Sequence, residues 1–231
     1  MAKSALVTGA SRGIGRETSI SLARKGHRVI AVARSEDQLK ALQQQYSQHI
    51  SYITADLTED SDLINLKERL SQKNTELDIL INNAGALINK PFQKLTTSEW
   101  QFLFNANVMT VVNTVKTVLP IMNKNSHIVN ISSMGGFQGS SKFTGLTAYS
   151  VTKGAVSILT ECLATELADL NVSVNALCLG SVDTKMFDQA FPGFEADVQA
   201  GEMGTYIADF ALNDAAFFNG KVLPVALSDP S

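Results

Sequence analysis

The sequence predicts an α/β fold: a doubly wound parallel sheet of about seven strands with helices on both faces. Two observations predict it. Short apolar runs alternate with helical segments along the chain, and such alternation calls for parallel strands joined by right-handed crossovers. The runs are apolar throughout rather than at every second residue, which indicates a sheet covered on both faces. No linker or repeat interrupts the alternation, so we expect a single domain spanning residues 1–231.

Each strand is predicted from a short apolar run, and each helix from the segment that follows it. The helix at 60–70 carries leucines on one face, and the helix at 97–119 stops at Pro120, which cannot continue it. In the last helix, a stripe at the helical period comprises Val151, Ala155, Ile158, Cys162, Leu163 and Leu167. The predicted strands cover 5–7, 29–33, 51–55, 77–81, 127–131, 172–177 and, more weakly, 222–227; the helices cover 14–25, 36–46, 60–70, 97–119 and 148–170.

Composition excludes several classes of protein. The formal net charge is −3 and no basic run is present, so neither nucleic acid nor an anionic membrane is an expected partner. No apolar run approaches the ~20 residues that span a bilayer. The N-terminus runs directly into the first strand without a visible signal peptide, which predicts a cytoplasmic protein.

The cysteines and histidines do not indicate a metal site. Cys162 and Cys178 are the only cysteines, and both lie in apolar segments. We therefore expect two buried thiols in a reducing compartment rather than a disulfide or a metal site. The histidines, His27, His49 and His127, are scattered without a ligand spacing, so no metal is expected.

A glycine turn follows the first strand. Gly9, Gly13 and Gly15 occur in the spacing G-x-x-x-G-x-G between that strand and the first helix. Gly9 would permit a tight turn, Gly13 would let a ligand approach the backbone, and Gly15 would let helix and strand pack closely. Backbone N–H groups and a helix N-terminus then converge on one spot, which suits a diphosphate.

Polar or glycine residues follow the carboxyl ends of the predicted strands. In open α/β sheets ligands bind outside these ends, so the clustering indicates a single binding site there. The residues concerned are Gly9, Arg34, Asp56, Asn83, Ser133 and the loop after Leu177.

A proton-transfer site is predicted at the start of the last long helix. Tyr149 and Lys153 are four residues apart and share a helix face. A free tyrosine has a pKa near ~10, and a nearby ammonium would lower that pKa towards a useful range. Ser133 could donate a hydrogen bond to a substrate oxygen that gains negative charge. Asn107 stands within the preceding long helix, where asparagine is a poor helix former.

Taken in order, five segments make the chain resemble the short-chain dehydrogenase/reductase family over nearly its whole length. They match the family's cofactor turn, adenine-contacting pair, strand-end signature, catalytic tetrad and nicotinamide-side loop. In the same order they are Thr8 to Gly15; Asp56-Leu57; Asn82-Asn83-Ala84-Gly85; Asn107, Ser133, Tyr149 and Lys153; and Gly180, Val182 and Thr184.

The resemblance implies a Rossmann-type domain that transfers hydride between a nicotinamide cofactor and a carbonyl or alcohol. Tyr149 would protonate the oxygen, Lys153 would hold the nicotinamide ribose, and Asn107 would support a water linked to Lys153. Ser133 is preferred to Ser132 because the family's serine is the second of the pair. The implied cofactor-binding residues are Gly9, Ser11, Arg12, Gly13, Ile14, Gly15, Arg34, Asp56, Leu57, Asn83, Ala84, Gly85, Tyr149, Lys153, Gly180, Val182 and Thr184.

The end of the second strand predicts NADP(H) as the cofactor. NAD-selective sites place a carboxylate there, whereas this chain has Ala33 followed by Arg34. Arg34 could bind a 2′-phosphate by charge-assisted hydrogen bonds, and Arg12 could add a second cation.

The chain also departs from the family. Leu179 replaces the usual proline before Gly180, which would make that loop less rigid. The glycine-rich loop 134–148 is longer than usual and is expected to shape substrate access. A lid is expected around 183–200, where Met186, Phe187, Phe191 and Phe194 would line an apolar pocket or belong to the core. The family's usual C-terminal ending is absent, so the resemblance lends no support to C-terminal subunit contacts.

The sequence therefore predicts an NADP(H)-dependent, carbonyl reductase-like oxidoreductase with a small carbonyl or alcohol substrate. One alternative is a 3-oxoacyl-carrier-protein reductase, which would need a cationic surface for its acidic carrier. A non-catalytic NADP(H)-sensing regulator and a structural protein on the same fold are further alternatives, but no tetrad residue is missing. The helices at 97–119 and 148–170 have apolar positions beyond one stripe, and the resemblance implies that such helices pair across a subunit interface. We therefore expect a homo-dimer or homo-tetramer, although the sequence alone allows a monomer.

Overall fold

The computed structural model of the protein describes residues 1–72 and 76–227. Seven of its strands form one parallel sheet, and two short strands form a separate pair. The strands are β1 (Ser4–Thr8), β2 (Arg28–Ala33), β3 (Ile50–Thr54), β4 (Leu77–Asn82), β5 (Met122–Ser133), β6 (Val172–Leu179), β7 (Val182–Asp183), β8 (Val198–Gln199) and β9 (Val222–Val225).

The order in the main sheet is β3-β2-β1-β4-β5-β6-β9. The chain winds outwards from β1 to β3 and then returns to place β4 on the other side of β1. The connections therefore diverge between β1 and β4, and this crevice is where ligands bind in sheets of this type. The seven predicted strands are all present.

Helices cover both faces of the sheet. One apolar core joins the sheet to α1, α2 and α8, and the other joins it to α3, α5 and α6. This arrangement confirms the predicted fold class. The helices are α1 (Gly13–Arg24), α2 (Glu36–Gln45), α3 (Asp60–Gln72), α4 (Thr97–Phe104), α5 (Thr110–Val118), α6 (Thr147–Glu166), α7 (Lys185–Ala190) and α8 (Ala200–Asn213).

The helix predicted at 97–119 is interrupted. A π-helical turn, Asn105–Met109, separates α4 from α5, and Asn107 lies inside it. Such turns often accompany functional sites because the extra residue changes the direction of side chains.

Helix α8 is not among the predicted elements. Gly201 and Gly204 lower its helix propensity, which hides it in the sequence. Gly204 is required by packing, because a Cβ there would lie 2.7 Å from the backbone of Glu17 in α1. The short strands β7 and β8, which frame α7, were not predicted either.

The predicted apolar stripe of α6 is buried only in part: Leu167 is buried and Ala155 and Leu163 pack against the core. Val151 and Ile158 are exposed, and so is Cys162, which therefore is not the buried thiol expected. Small and hydroxyl side chains face the sheet because they allow close approach, and their hydroxyls bond to carbonyls of the helix itself. The buried residues of this helix are Ala148, Thr152, Lys153, Val156, Ser157, Thr160 and Ala164. Cys178 in β6 is buried as predicted.

No helix within residues 1–72 and 76–227 is both long and apolar enough to cross a bilayer. The same part of the chain holds no group of three or more acidic, histidine or cysteine side chains placed to bind a metal ion. The C-terminal ending at 228–231 lies outside the described residues.

Candidate active site

A cavity of about 1140 Å³ opens at the carboxyl ends of the strands. Most of the predicted site residues line it, from the glycine turn to the tyrosine of α6. Gly15 and Asn107 do not line the cavity, and they lie behind residues that do. The lining includes Gly9, Ser11, Arg12, Gly13, Ile14, Arg34, Asp56, Leu57, Asn83, Ala84, Gly85, Ser133, Tyr149, Lys153, Gly180, Val182 and Thr184.

The glycine turn has the geometry of an anion cradle. Gly9 and Gly13 adopt left-handed conformations, with φ of +65° and +54°. Helix α1 begins at Gly13, and the side chain of Arg12 before it does not cap the first turn. A Cβ on Gly15 would lie 2.5 Å from the carbonyl oxygen of Gly9, so only glycine lets the helix start this close to the turn. Gly13 and Ile14 of the first turn line the cavity, and the uncapped N–H groups of a helix start fit a diphosphate.

The end of β4 holds this turn in place. The hydroxyl of Thr8 accepts the backbone N–H groups of Asn83 and Ala84, each at 3.0 Å. The side-chain amide of Asn83 donates to the carbonyl of Thr8, also at 3.0 Å. Asn83 therefore connects the two strands that border the crevice, which fixes the floor of the cavity.

The far end of the cavity carries the predicted cofactor-selecting cation. The Arg34 guanidinium is 73% exposed and contacts the Asp56 carboxylate at 3.4 Å. Burial raises the pKa of Asp56, but hydrogen bonds from Thr58 and the charge of Arg34 outweigh it, so the pKa is lowered overall. The long contact and high exposure leave Arg34 available to a phosphate, with Arg12 on the same cavity wall.

Three of the predicted tetrad residues face the cavity together. Ser133 ends β5, and its hydroxyl oxygen accepts the N–H of Gly135 at 3.2 Å. This bond does not use the hydroxyl proton, and the same hydroxyl also forms a hydrogen bond with Tyr149. Tyr149 lies in the first turn of α6, and Lys153 lies one turn later with Nζ 5.8 Å from the Tyr149 ring centre.

The predicted lowering of the tyrosine pKa is wrong. Burial raises the pKa of Tyr149 above its usual value, while a hydrogen bond with Ser133 acts in the opposite direction. Lys153 is buried, which lowers its pKa to about 8, and it donates to the carbonyl of Ile131 at 2.8 Å. The ammonium is therefore held by the sheet backbone rather than by the phenol.

The side chain of Asn107 binds the backbone of the segment after β4. Its Oδ1 accepts the N–H of Ala86 at 2.7 Å, and its Nδ2 donates to the carbonyl of Ala86 and to the Thr152 hydroxyl. The π-helical turn thus connects the segment after β4 to helix α6. A Cβ on Gly85 would lie 2.8 Å from Asn107 Oδ1 and 3.5 Å from Lys153 Nζ, so glycine is required where these groups converge.

The two serines at the end of β5 have different partners. Ser132 is buried, and its hydroxyl donates to the backbone carbonyl of Lys153 at 2.9 Å. The Ser157 hydroxyl donates to the same carbonyl at 3.2 Å. Ser132 therefore anchors α6 beneath the site, while Ser133 contacts Tyr149, in keeping with the preference for Ser133.

The loop after β6 forms a further side of the cavity. Gly180 lies so near the chain after β9 that a Cβ would be 2.8 Å from the Cβ of Ala226. Thr184 caps α7 by accepting the N–H of Phe187 at 3.2 Å. Leu179, in place of proline, is a buried strand residue paired with Ser133 and Val225, so its backbone is fixed by the sheet.

The phenylalanines of the predicted lid line the cavity mouth rather than the core. Phe187, Phe191 and Phe194 all face it, together with Met186 and with Phe143 from loop 134–148. Sequence reasoning missed Phe143. It also missed two polar positions: Thr152, which bonds Asn107, and Asn89, which donates to the carbonyl of Ala190 in α7 at 2.7 Å.

Comparison with known proteins gives a consistent picture. The family model described as short chain dehydrogenase matches residues 3–193. The 3-oxoacyl-(acyl-carrier-protein) reductase FabG of Escherichia coli is 31% identical over 96% of this chain and 95% of its own. An uncharacterized oxidoreductase of Staphylococcus saprophyticus is 34% identical over 80% of each chain.

Solved structures share the fold. A dehydrogenase/reductase from Sinorhizobium meliloti superposes with a TM-score of 0.89 over 100% of this chain and 96% of its own, at 23% identity. A mutant of a Serratia marcescens short-chain dehydrogenase/reductase gives a TM-score of 0.86 over 97% and 96% of the two chains, at 26% identity.

Proposed function

The chain belongs to the short-chain dehydrogenase/reductase family, a family of oxidoreductases, and we propose that it is an NADP(H)-dependent member acting on a carbonyl or a secondary alcohol. One observation carries this proposal. A single cavity runs from the glycine turn and Arg34 to Ser133 and Tyr149, so a dinucleotide held at one end would reach a substrate at the other.

The residues at the inner end support carbonyl reduction. NADPH, when bound, supplies the hydride that the carbonyl carbon accepts. Ser133 donates a hydrogen bond to the substrate oxygen and stabilises the negative charge that develops there. Tyr149 donates its proton to the same oxygen, which yields the alcohol. The ammonium of Lys153, 5.8 Å from the centre of the Tyr149 ring, would stabilise the tyrosinate by its charge and would hold the ribose of the cofactor.

The choice of NADP(H) over NAD(H) rests on the outer end. Arg34 and Arg12 line the cavity there, and no carboxylate ends β2. A guanidinium binds a phosphate through charge-assisted, often bidentate, hydrogen bonds, whereas a carboxylate would repel it. We propose that the remaining contacts with the cofactor are made by the residues that the family resemblance implies.

A turnover assay tests the proposal. Purified protein is mixed with NADPH and a panel of aldehydes and ketones, and loss of nicotinamide absorbance is followed for the native chain and for Tyr149→Phe. We expect turnover of at least one carbonyl by the native chain and loss of it in the variant. Binding of NADPH without turnover of any carbonyl or alcohol would instead support a sensing role.

A 3-oxoacyl-carrier-protein reductase is the second candidate, favoured by the 31% identity to FabG of Escherichia coli. It makes a distinct prediction, namely that an acyl group on a carrier protein is reduced faster than the same group on a small thiol. The charge of the lid, considered below, disfavours it.

We also propose that the protein is a cytoplasmic homo-oligomer. Helices α4 and α6 pack against each other, and both expose large apolar side chains, including Phe104, Val151 and Ile158. Such a surface is typical of a protein interface. Chromatography coupled to light scattering should give a dimer or tetramer that Ile158→Glu dissociates; a monomeric native chain would contradict the proposal.

A further inference from the structure

The mouth of the cavity is built from aromatic rings of two separate segments. We call this surface the aromatic wall: Phe143 from loop 134–148, and Phe187, Phe191 and Phe194 from the lid. Phe191 is its hub, because its ring centre lies 5.2 Å from Phe187, 5.9 Å from Phe143 and 6.5 Å from Phe194. These separations are typical of interacting aromatic pairs.

Two hydrogen bonds hold the segments of the wall together. Asn89 donates to the carbonyl of Ala190 at 2.7 Å, which ties the segment after β4 to the end of α7. The N–H of the next residue, Lys90, donates to the carbonyl of Gly145 at 2.9 Å and so ties the same segment to loop 134–148. Both supports of the aromatic wall thus meet at one point, and the rings present a preformed apolar surface.

The wall still exposes apolar area. Phe194 is 73% exposed, and Phe143 and Met186 are each more than one-third exposed. Burying aromatic carbon against an apolar ligand is favourable in proportion to the area removed from water. An exposed ring at the rim of a site is therefore a ready contact for a flat apolar group.

The surroundings of the wall are acidic. Between 182 and 199 the lid carries four carboxylates, Asp183, Asp188, Glu195 and Asp197, and one ammonium, Lys185, so its formal charge is three negative. Glu195 and Asp197 line the cavity itself beside Lys185, and Lys142 precedes Phe143, so carboxylates still outnumber ammonium groups around the wall. The nearby Lys90 is paired with Glu99 at 2.8 Å. An anionic ligand or an acidic protein approaching this mouth would be repelled.

We propose that the substrate is an uncharged carbonyl compound with an aromatic or similarly flat apolar group, rather than an acyl group on an acidic carrier protein. This inference rests on the proposed function and names its substrate class. The apolar group would lie on the aromatic wall, with the carbonyl oxygen between Ser133 and Tyr149. The carbon accepts hydride from NADPH and the oxygen accepts the Tyr149 proton, which gives an alcohol and NADP⁺.

Three aldehydes separate the contributions of ring and charge. Benzaldehyde carries the flat apolar group, propanal lacks it, and 4-carboxybenzaldehyde adds a negative charge to it. With NADPH and the native chain we expect kcat/KM for benzaldehyde to exceed that for 4-carboxybenzaldehyde by about tenfold or more. Glu195→Gln, which removes one carboxylate from the mouth, should narrow that ratio.

Variants of the wall test its role. Phe191→Ala should lower kcat/KM for benzaldehyde by about tenfold while changing that for propanal little. Phe194→Ala changes an exposed position where folding is not at risk. It should also lower the ratio of kcat/KM for benzaldehyde to kcat/KM for propanal. The matched control is Phe217→Ala, which removes an exposed ring outside the cavity. It should leave kcat/KM for both aldehydes unchanged.

The outcomes distinguish the inference from the function on which it rests. Reduction of propanal with no preference for benzaldehyde, and no effect of either wall variant, would overturn the inference and leave the function standing. Faster reduction of an acetoacetyl group on an acyl carrier protein than on N-acetylcysteamine would also overturn it. If no carbonyl is reduced at all, the proposed function fails and the substrate class falls with it.

Discussion

The Nζ atom of Lys153 lies 5.8 Å from the centre of the Tyr149 ring and donates its hydrogen bond to Ile131 of the sheet, not to the phenol. Burial acts on both groups: it raises the pKa of Tyr149 and lowers the pKa of Lys153 to about 8. Tyr149 is therefore protonated at neutral pH. A protonated phenol is the form that donates to a carbonyl oxygen.

This relationship predicts opposite pH profiles for the two directions of the reaction. Carbonyl reduction should be constant below about pH 8, where Tyr149 and Lys153 both hold their protons, and should fall above it. Alcohol oxidation needs the deprotonated phenol, so its rate should rise with pH. Initial rates at saturating cofactor measure both profiles. A reduction rate that increases from about pH 6 to 9 would contradict the assignment of Tyr149 as the proton donor.

Gly15 and Gly201 form a matched pair, since both lie in the first turn of a helix. A Cβ at Gly15 would meet the Gly9 carbonyl oxygen at 2.5 Å, whereas a Cβ at Gly201 would meet nothing within 4 Å. We predict that Gly15→Ala lowers both thermal stability and NADPH affinity. Gly201→Ala should retain affinity and gain up to about 1 kcal/mol of stability from helix propensity. Thermal unfolding and cofactor titration check both; equal behaviour of the two variants would refute the role of Gly15.

Arg34 at the carboxyl end of β2 and Arg28 at its amino end allow a controlled test of cofactor choice. Arg34→Ala should weaken NADPH binding by about tenfold or more, because a charge-assisted hydrogen bond is lost, and should leave NADH binding nearly unchanged. Arg28 is remote from the cavity, so Arg28→Ala should change neither NADPH binding nor NADH binding. Fluorescence titration gives the two dissociation constants, for NADPH and for NADH, of the native chain and of each variant. Equal affinity for NADPH and NADH in the native chain would refute NADP(H) selectivity.

His127 predicts acid sensitivity of the fold. It is buried in the neutral form: Nδ1 donates to the Ala211 carbonyl, and Nε2 accepts from the Asn175 amide. Burial lowers its pKa to about 4 from 6.5, so its contribution is intact above pH 6.5 and is lost as the pH falls towards 4. At pH 5 the loss is about 2 kcal/mol.

Urea unfolding of the native chain and of His127→Gln at pH 7 and pH 5 measures this contribution. The drop in unfolding free energy between the two pH values should be smaller in the variant by about 2 kcal/mol. Carboxylates titrate in both proteins and cancel in the comparison. An identical drop in the two proteins would show that His127 is not the acid-sensitive group.

Much of the fold could be predicted from the sequence because its strands are continuous apolar runs and its turns are marked by glycine. The prediction failed where packing depends on small residues. Helix α8 was missed because Gly204, which weakens a helix locally, is what lets it approach α1. The buried face of α6 was misassigned because Thr152 and Thr160 look polar, yet their hydroxyls bond to helix carbonyls and can be buried.

The candidate site was predictable where the residue type or its spacing indicates a single role. Examples are Gly9, whose left-handed conformation favours glycine, and Tyr149 and Lys153, whose spacing places them on one helix face. The direction of the Tyr149 pKa shift was not predictable, because spacing shows neither that the phenol is buried, which raises its pKa, nor that Ile131 takes the Lys153 hydrogen bond. The contact between Phe143 and Phe191 was also out of reach. It joins two loops about 50 residues apart, and its partners emerge only from the folded chain.

The most direct test of the central claim follows a labelled hydride. NADPH that carries deuterium at both positions of the reactive nicotinamide carbon is incubated with benzaldehyde and the native chain, and the alcohol is analysed by mass spectrometry. We predict one deuterium on the carbinol carbon. Tyr149→Phe should bind NADPH with an unchanged dissociation constant and form the alcohol about 10²- to 10⁴-fold more slowly. Native-like rates in Tyr149→Phe, or an alcohol without deuterium, would contradict the account.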